Sequence, residues 1–251
     1  MLGRSQELRR GCLRGGAETA LRRPGLCAAY WVVFSHGSRG RLTLKDLGRF
    51  PSDTLFDKVG RSVCRAGCLP RKELYEAWEV ARRCRRLFRG GRVVDVAAGH
   101  GLLAHLMLLL DDTSPCAFAV DTNTPASAAK VRASLVDAWP RLDGRVERCE
   151  APLEGFVLAG GDVVVSSHAC GLLTDRILDR AVHAGARVAV LPCCHDDETC
   201  DAGPLTGWLD LSLAIDVRRA ERLERQGYRV WTQTIPADIT PKNRLLLGAP
   251  S

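Results

Sequence analysis

A chain of 251 residues that is 46% hydrophobic and 26% charged has the composition of a folded globular protein. This excludes a disordered or fibrous chain and allows one α/β domain with an extension. Eleven cysteines, odd in number and without the spacing of a small disulfide framework, exclude a stapled secreted module and point to a reducing, cytoplasmic setting.

The net charge of +7 is unevenly spread: residues 1–92 carry 21 Lys/Arg against 8 Asp/Glu, and residues 93–251 carry 15 against 21. A basic front end implies a polyanionic partner such as RNA, because neutralising phosphates supplies most non-specific nucleic-acid affinity. A merely solvated basic surface is the alternative. Residues 1–40 are Arg-rich and acid-poor, with a short apolar run at 26–34. That composition overlaps with organellar transit peptides, so targeting and a packed extension both stay open. No stretch reaches the roughly 18–20 apolar residues that a bilayer span needs, so no membrane partner is expected.

Residues 1–70 scatter Gly, Pro and Ser among short apolar runs and read as a basic N-terminal extension. Cys64 and Cys68 lack a second pair and read as structural. Helical spacing of Leu74, Trp78, Ala81, Cys84 and Leu87/Phe88 after Pro70 predicts a helix over 71–88, with Arg82, Arg83, Arg85, Arg86 and Arg89 as a basic flank. Strands are expected at 92–96, 116–120, 145–149, 162–166 and 187–191, alternating with helices at 102–110, 125–139, 172–183 and 209–226. Two more strands, 228–235 and 244–247, are joined by a link too short for a crossover and should be antiparallel. The expected fold class is α/β: a Rossmann-like domain over 71–251 with a mostly parallel seven-stranded sheet and a C-terminal antiparallel hairpin.

The loop Asp95-Val96-Ala97-Ala98-Gly99-His100-Gly101 follows a strand and opens a helix, where open α/β sheets bind ligands. A carboxylate at Asp95 would repel a pyrophosphate but suits the ammonium and sulfonium of S-adenosylmethionine (SAM). About 20 residues on, a second strand ends in Asp121, placed to accept hydrogen bonds from ribose hydroxyls. A helix cap or turn is the structural alternative for Asp121.

These residues resemble the D-x-G-x-G-x-G motif of class I SAM-dependent methyltransferases, with Ala97 in place of the first glycine. The resemblance implies a cofactor site of Asp95, Ala97, Gly99, Gly101, Asp121 and Thr122, with Glu150 and Ala151 at the third strand's end and Ser166 at the fourth's. His100 serves the loop or touches the cofactor's carboxylate.

The fourth strand runs into Ser167-His168-Ala169-Cys170-Gly171 and the fifth into Cys193-Cys194-His195. Three readings of this cluster stay open. As an active-site edge it offers His168 or His195 as a general base, with Cys194 beside them. As a zinc site it has ligands to spare but no C-x-x-C knuckle, and adjacent Cys193 and Cys194 are expected to point apart, so no metal is assigned. As packing, the cysteines are small buried hydrophobes.

H-x-C-G, Thr174-Asp175 and C-C-H resemble a methyltransferase subgroup that includes tRNA 2′-O-methyltransferases and uncharacterised methyltransferase-like proteins. The resemblance spans roughly residues 71–251, and the stretch 239–244 is similar to a feature of bacterial members. The implied function is methyl transfer from SAM to an acceptor, with RNA, and within it tRNA, favoured by the basic front end. Protein or small-molecule methylation and a catalytically silent SAM-fold binding module are the alternatives.

Overall fold

The computed structural model describes residues 40–196 and 198–251; the expected targeting segment lies outside them. Seven strands form one sheet in the order β3-β2-β1-β4-β5-β7-β6. They are β1 (Val93–Val96), β2 (Ala117–Asp121), β3 (Val146–Glu150), β4 (Val163–Ser166), β5 (Arg187–Val190), β6 (Tyr228–Thr234) and β7 (Arg244–Pro250). The first five pair in parallel, and β7 runs antiparallel between β5 and β6. The expected C-terminal antiparallel pair is therefore present, with its second strand wedged inward.

Central and edge strands differ in sequence for a physical reason. β1 and β4 are buried along their whole length and are built from valine with Asp95 and Ser166 inserted, as strands covered on both faces require. Edge strands β3 and β6 alternate with polar residues.

Period-two alternation sends Val93, Val163, Val165 and Ala189 to one face, and Val94, Val96, Val164, Val188 and Val190 to the other. The first face carries α1 (Leu55–Ala66), α2 (Arg71–Leu87), α3 (Leu102–Leu109) and α4 (Ala128–Ala138). The second carries α5 (Leu172–Ala184) and α6 (Leu211–Arg225). None of the described helices is long and apolar enough to cross a membrane.

Helix α1 lies inside the expected extension. The Thr54 side chain caps it by accepting from the Asp57 N–H at 3.3 Å, and Gly67 closes it with φ of 66°. Gly60 lets the Phe50 ring lie on the helix, since a Cβ there would come within 2.3 Å of it. Leu42, Phe50, Val59, Val63 and Leu69 share one apolar core with α2, α3 and the sheet, so residues 42–69 pack as part of the domain.

The arginines of α2 are largely consumed internally. Arg82 and Arg83 both pair with Glu79. Arg85 is buried: it donates to the Met107 carbonyl at 3.0 Å and to Ser114 at 2.8 Å, and pairs with Asp111 at 3.1 Å. Burial alone would raise the Asp111 carboxyl, but hydrogen bonds from Thr113 and Gly90 and the Arg85 charge outweigh it and hold it at about 2. Arg89 bonds the Leu110 carbonyl and Asp111. This end of α2 leads into the start of β1, so the flank lies at the opposite end of the sheet from the strand tips.

Removing one partner of a buried ion pair leaves an uncompensated charge. Arg85→Ala is expected to lower unfolding free energy by about 3–5 kcal/mol, read from the shift of the urea midpoint; a change under about 1 kcal/mol would place the pair among weak surface contacts.

Candidate cofactor crevice and acceptor edge

At the tips of β1, β2 and β4 the chain forms a cavity of about 350 Å³, lined among others by Ala97, Gly99, His100, Asp121, Ser167 and His168. The loop between β1 and α3 supplies its floor. Ala97 has φ of 55°, alone among the described non-glycine residues in taking a positive value. This is the left-handed conformation that a Cβ disfavours, at the position where the motif has its first glycine. Gly99 and Gly101 are also left-handed. A Cβ on Gly99 would meet nothing within 4 Å, so the backbone there is open to close approach.

Two neighbouring strands fix Gly99. Its N–H donates to Asp121 Oδ2 at 2.8 Å, and its carbonyl accepts from Arg148 of β3. The other Asp121 oxygen accepts from the Asn123 N–H at 3.3 Å. Asp121 thus organises the loop and keeps acceptor capacity toward the cavity, which fits a nucleoside's ribose hydroxyls.

Asp95 is placed differently from expectation. Alternation along β1 sends it to the α3 face with Val93, where it is 1% exposed and accepts the Ala104 N–H at 3.1 Å. Burial pushes its carboxyl up to about 8, against the opposing pull of that hydrogen bond and of Arg148. It ties the first turn of α3 to the sheet and does not line the cavity. Parity also turns Ser166 to the α5 face, fully buried, and Ser167 takes the cavity position. Thr122 and Glu150 are exposed and Ala151 half-buried beyond the strand tips, and none of the three lines the cavity; the Ala151 N–H donates to the Asp121 carbonyl at 2.9 Å.

The predicted reacting residues divide. His168 is half-buried on the cavity wall. His195 turns away: its side chain is 3% exposed and its Nε2 lies 2.7 Å from Asp216 Oδ1 on α6. Asp216 also accepts from Arg244 at 2.7 Å and Arg219 at 3.2 Å, and Arg219 pairs with Asp175 at 2.7 Å. Burial would raise the Asp216 carboxyl, but His195 and Arg244 hold it below the usual range. Arg219 reaches the Gly171 carbonyl at 3.1 Å, and Thr174 donates to the Ala169 carbonyl at 2.8 Å. One buried ion network therefore pins the loops after β4 and β5 to α5, α6 and β7.

Cys194 is exposed, beside Cys170 and Cys193. Burial first, then its neighbouring thiols, push Cys193 far above the ordinary thiol value, which argues against a thiolate nucleophile there. His100 places Nε2 at 2.8 Å from Ser127 Oγ and Nδ1 at 3.7 Å from Glu73, so it braces the loop from the cavity wall.

Sequence reasoning missed the wall contributed by α2. Glu73 and Ala77 line the cavity, and Glu76 is buried behind it, 3.4 Å from Lys72. Burial raises the Glu76 carboxyl, against the pull of His168 and Lys72. The signal was available: Glu73, Glu76, Ala77 and Val80 fall at i, i+3, i+4 and i+7, so two acids share one helix face with an apolar stripe.

A family model described as "Methyltransferase domain" matches residues 74–199, half of the chain. The Glutathione S-transferase C-terminal domain-containing protein homolog of Drosophila pseudoobscura pseudoobscura is 26% identical over 204 residues, which cover 63% of this chain and 33% of the relative. The chain thus spans about a third of the curated relative it matches. Among solved structures, an O-methyltransferase family protein from Burkholderia thailandensis is 18% identical with a TM-score of 0.49, covering 84% of this chain and 64% of its own. The S-adenosylmethionine-dependent methyltransferase SibL in its apo form is 19% identical with a TM-score of 0.49, covering 84% and 66%.

Ala97→Gly relieves a left-handed alanine and is expected to raise unfolding free energy by about 0.5–1 kcal/mol after glycine's own entropic cost; a destabilised variant would mean that the methyl packs favourably enough to offset the strain. Asp95 has a folded-state value of about 8 against an unfolded 3.8. Its protonated form is therefore the one the fold prefers, and its contribution is fully present below the unfolded value and lost as pH rises through the folded one. Unfolding measured from pH 4 to 9 should show the parent losing stability relative to Asp95→Asn across that window; the opposite slope would mean that the buried group is ionised.

Proposed function

We propose that this chain, which belongs to the methyltransferase-domain family, is a SAM-dependent methyltransferase that methylates RNA, with a tRNA 2′-hydroxyl as the acceptor that the H-x-C-G and C-C-H resemblance favours. The observation that carries the reading is that the glycine loop, Asp121 and His168 face one cavity at the strand tips.

The residues fit the cofactor. The left-handed turn over Ala97, Gly99 and Gly101 leaves backbone open to a ligand, and Asp121 keeps acceptor capacity for ribose hydroxyls. SAM, when bound, supplies an electrophilic methyl carbon on a sulfonium centre. The chain's own work is to align the acceptor with that carbon and to exclude competing water, and such positioning supplies much of the rate in displacement reactions. His168, which lines the same cavity, is the group that takes the acceptor hydroxyl's proton as its oxygen forms the new bond. Glu76, buried within electrostatic reach of His168, is placed to stabilise the imidazolium that results.

RNA is favoured by the charge of residues 1–92 and by Lys242, an exposed residue two positions after Thr240, a partner of Glu76. The test is transfer of labelled methyl from SAM to total RNA and to a protein fraction. Label should enter RNA, and RNA binding should weaken steeply as salt rises, as counterion release requires. His168→Ala should lower turnover about 100-fold or more with little change in SAM affinity. Asp121→Asn should instead weaken SAM binding by about 1.5–3 kcal/mol in calorimetry. Label in protein alone would overturn the acceptor, and no transfer with intact SAM binding would favour a silent module.

A further inference from the structure

The loops after β4 and β5 bring three thiols to one point, and the reaction proposed above uses none of them. Beyond the strand ends Cys170 and Cys194 form an isolated parallel bridge, and Gly171 donates its N–H to the Cys194 carbonyl at 3.2 Å. The Sγ atoms of Cys170, Cys193 and Cys194 lie within 4.8 Å of one another, with Cys170 and Cys193 2.8 Å apart. Adjacent Cys193 and Cys194 were expected to point apart, as they would within a strand. β5 ends at Val190, however, and past it alternation no longer applies.

Three physical readings of such a cluster make different demands. Inert packing would bury the thiols, but Cys170 and Cys194 are exposed. A disulfide would join two and strand the third. A soft cation uses all three, since thiolates select zinc over magnesium or calcium. Zinc–sulfur bonds of about 2.3 Å put sulfurs sharing a tetrahedral ion roughly 3.8 Å apart, a spacing that falls between the 2.8 Å and 4.8 Å bounds of this cluster.

The backbone is already held in place. Arg219 holds the Gly171 carbonyl, Thr174 holds the Ala169 carbonyl, and Asp216 holds the His195 ring next to Cys194. Little ordering cost is left for the ion to offset, which is the condition for a tight preformed site.

We propose that Cys170, Cys193 and Cys194 bind a zinc ion through their thiolates, leaving one tetrahedral position open to solvent. Each thiol loses its proton to solvent on ligation, and no oxidant or reductant takes part. Three protein ligands with one open position are the pattern of catalytic rather than structural zinc sites. Cys170 stands two residues after His168, which places the ion on the acceptor side of the crevice. Zinc binding here does not depend on the identity of the methyl acceptor.

The test uses the full chain purified under reducing conditions without chelator. Elemental analysis should find about one zinc per chain, and cobalt(II) loading should give the intense near-ultraviolet thiolate-to-cobalt band of multiple sulfur ligands. Cys170→Ser, Cys193→Ser and Cys194→Ser should each lose zinc and weaken that band, whereas Cys149→Ser, on β3, should keep both. Circular dichroism reports whether each variant folds, and where one does not, the metal content and cobalt spectrum of the unaltered chain decide. A chain that takes up neither zinc nor cobalt, or a band that survives in all three serine variants, would overturn the site. So would mass spectrometry showing Cys170 and Cys193 joined by a disulfide in protein purified under those conditions.

Discussion

The buried charge network beneath α6 is the constraint on which the loops after β4 and β5 depend. Asp175 and Asp216 sit among Arg219, Arg222, Arg244 and His195, with Arg219 almost wholly inaccessible. Desolvating so many charges costs several kcal/mol per ion, and their mutual attraction offsets that only when geometry is good and remaining polar atoms are satisfied. Such a network adds little net stability. What it does is fix where the chain can go, because moving either loop would break several charge-assisted bonds together.

This gives the separate sequence signatures of the C-terminal half a common physical basis. The H-x-C-G segment, Thr174-Asp175, the C-C-H segment and Arg244 are distant in sequence, yet they meet at two α6 residues, Asp216 and Arg219. His195 belongs to this network, and its Nδ1 is buried without a partner among the described residues. It holds the loop that carries Cys193 and Cys194, so of the two histidines read as general bases only His168 lines the crevice.

Architecture was largely legible in the sequence, because the signals for it are local. Valine runs mark buried parallel strands, and helical spacing marks the helices between them. Observed ends fall within about three residues of expectation. Helix α1 was missed although Val59, Val63 and Ala66 share one buried face, Lys58, Arg61 and Arg65 lie together on another, and Thr54 and Gly67 bracket it as cap and stop; the scattered Gly, Pro and Ser of residues 1–70 masked that local period. Side-chain direction was much less legible. Asp95 and Ser166 lie in strands whose alternation carries them under helices, and a motif read as a string does not show which face each residue takes. His195 turned toward an acid on α6 that lies 21 residues away, a pairing only the assembled fold reveals.

The charge asymmetry illustrates the same distinction. Counting arginines along α2 suggests a cationic stripe, yet a count weighs a buried, paired guanidinium the same as a free one. Arg82, Arg83, Arg85 and Arg89 are each held by Glu79 or Asp111, at the end of the sheet remote from the crevice. Paired charges project little field beyond about a Debye length, roughly 8 Å at physiological salt. The arginine-rich end of α2 is therefore a weaker cationic feature than its sequence suggests, because each of these four guanidiniums faces an acid that the count along the chain sets apart from it.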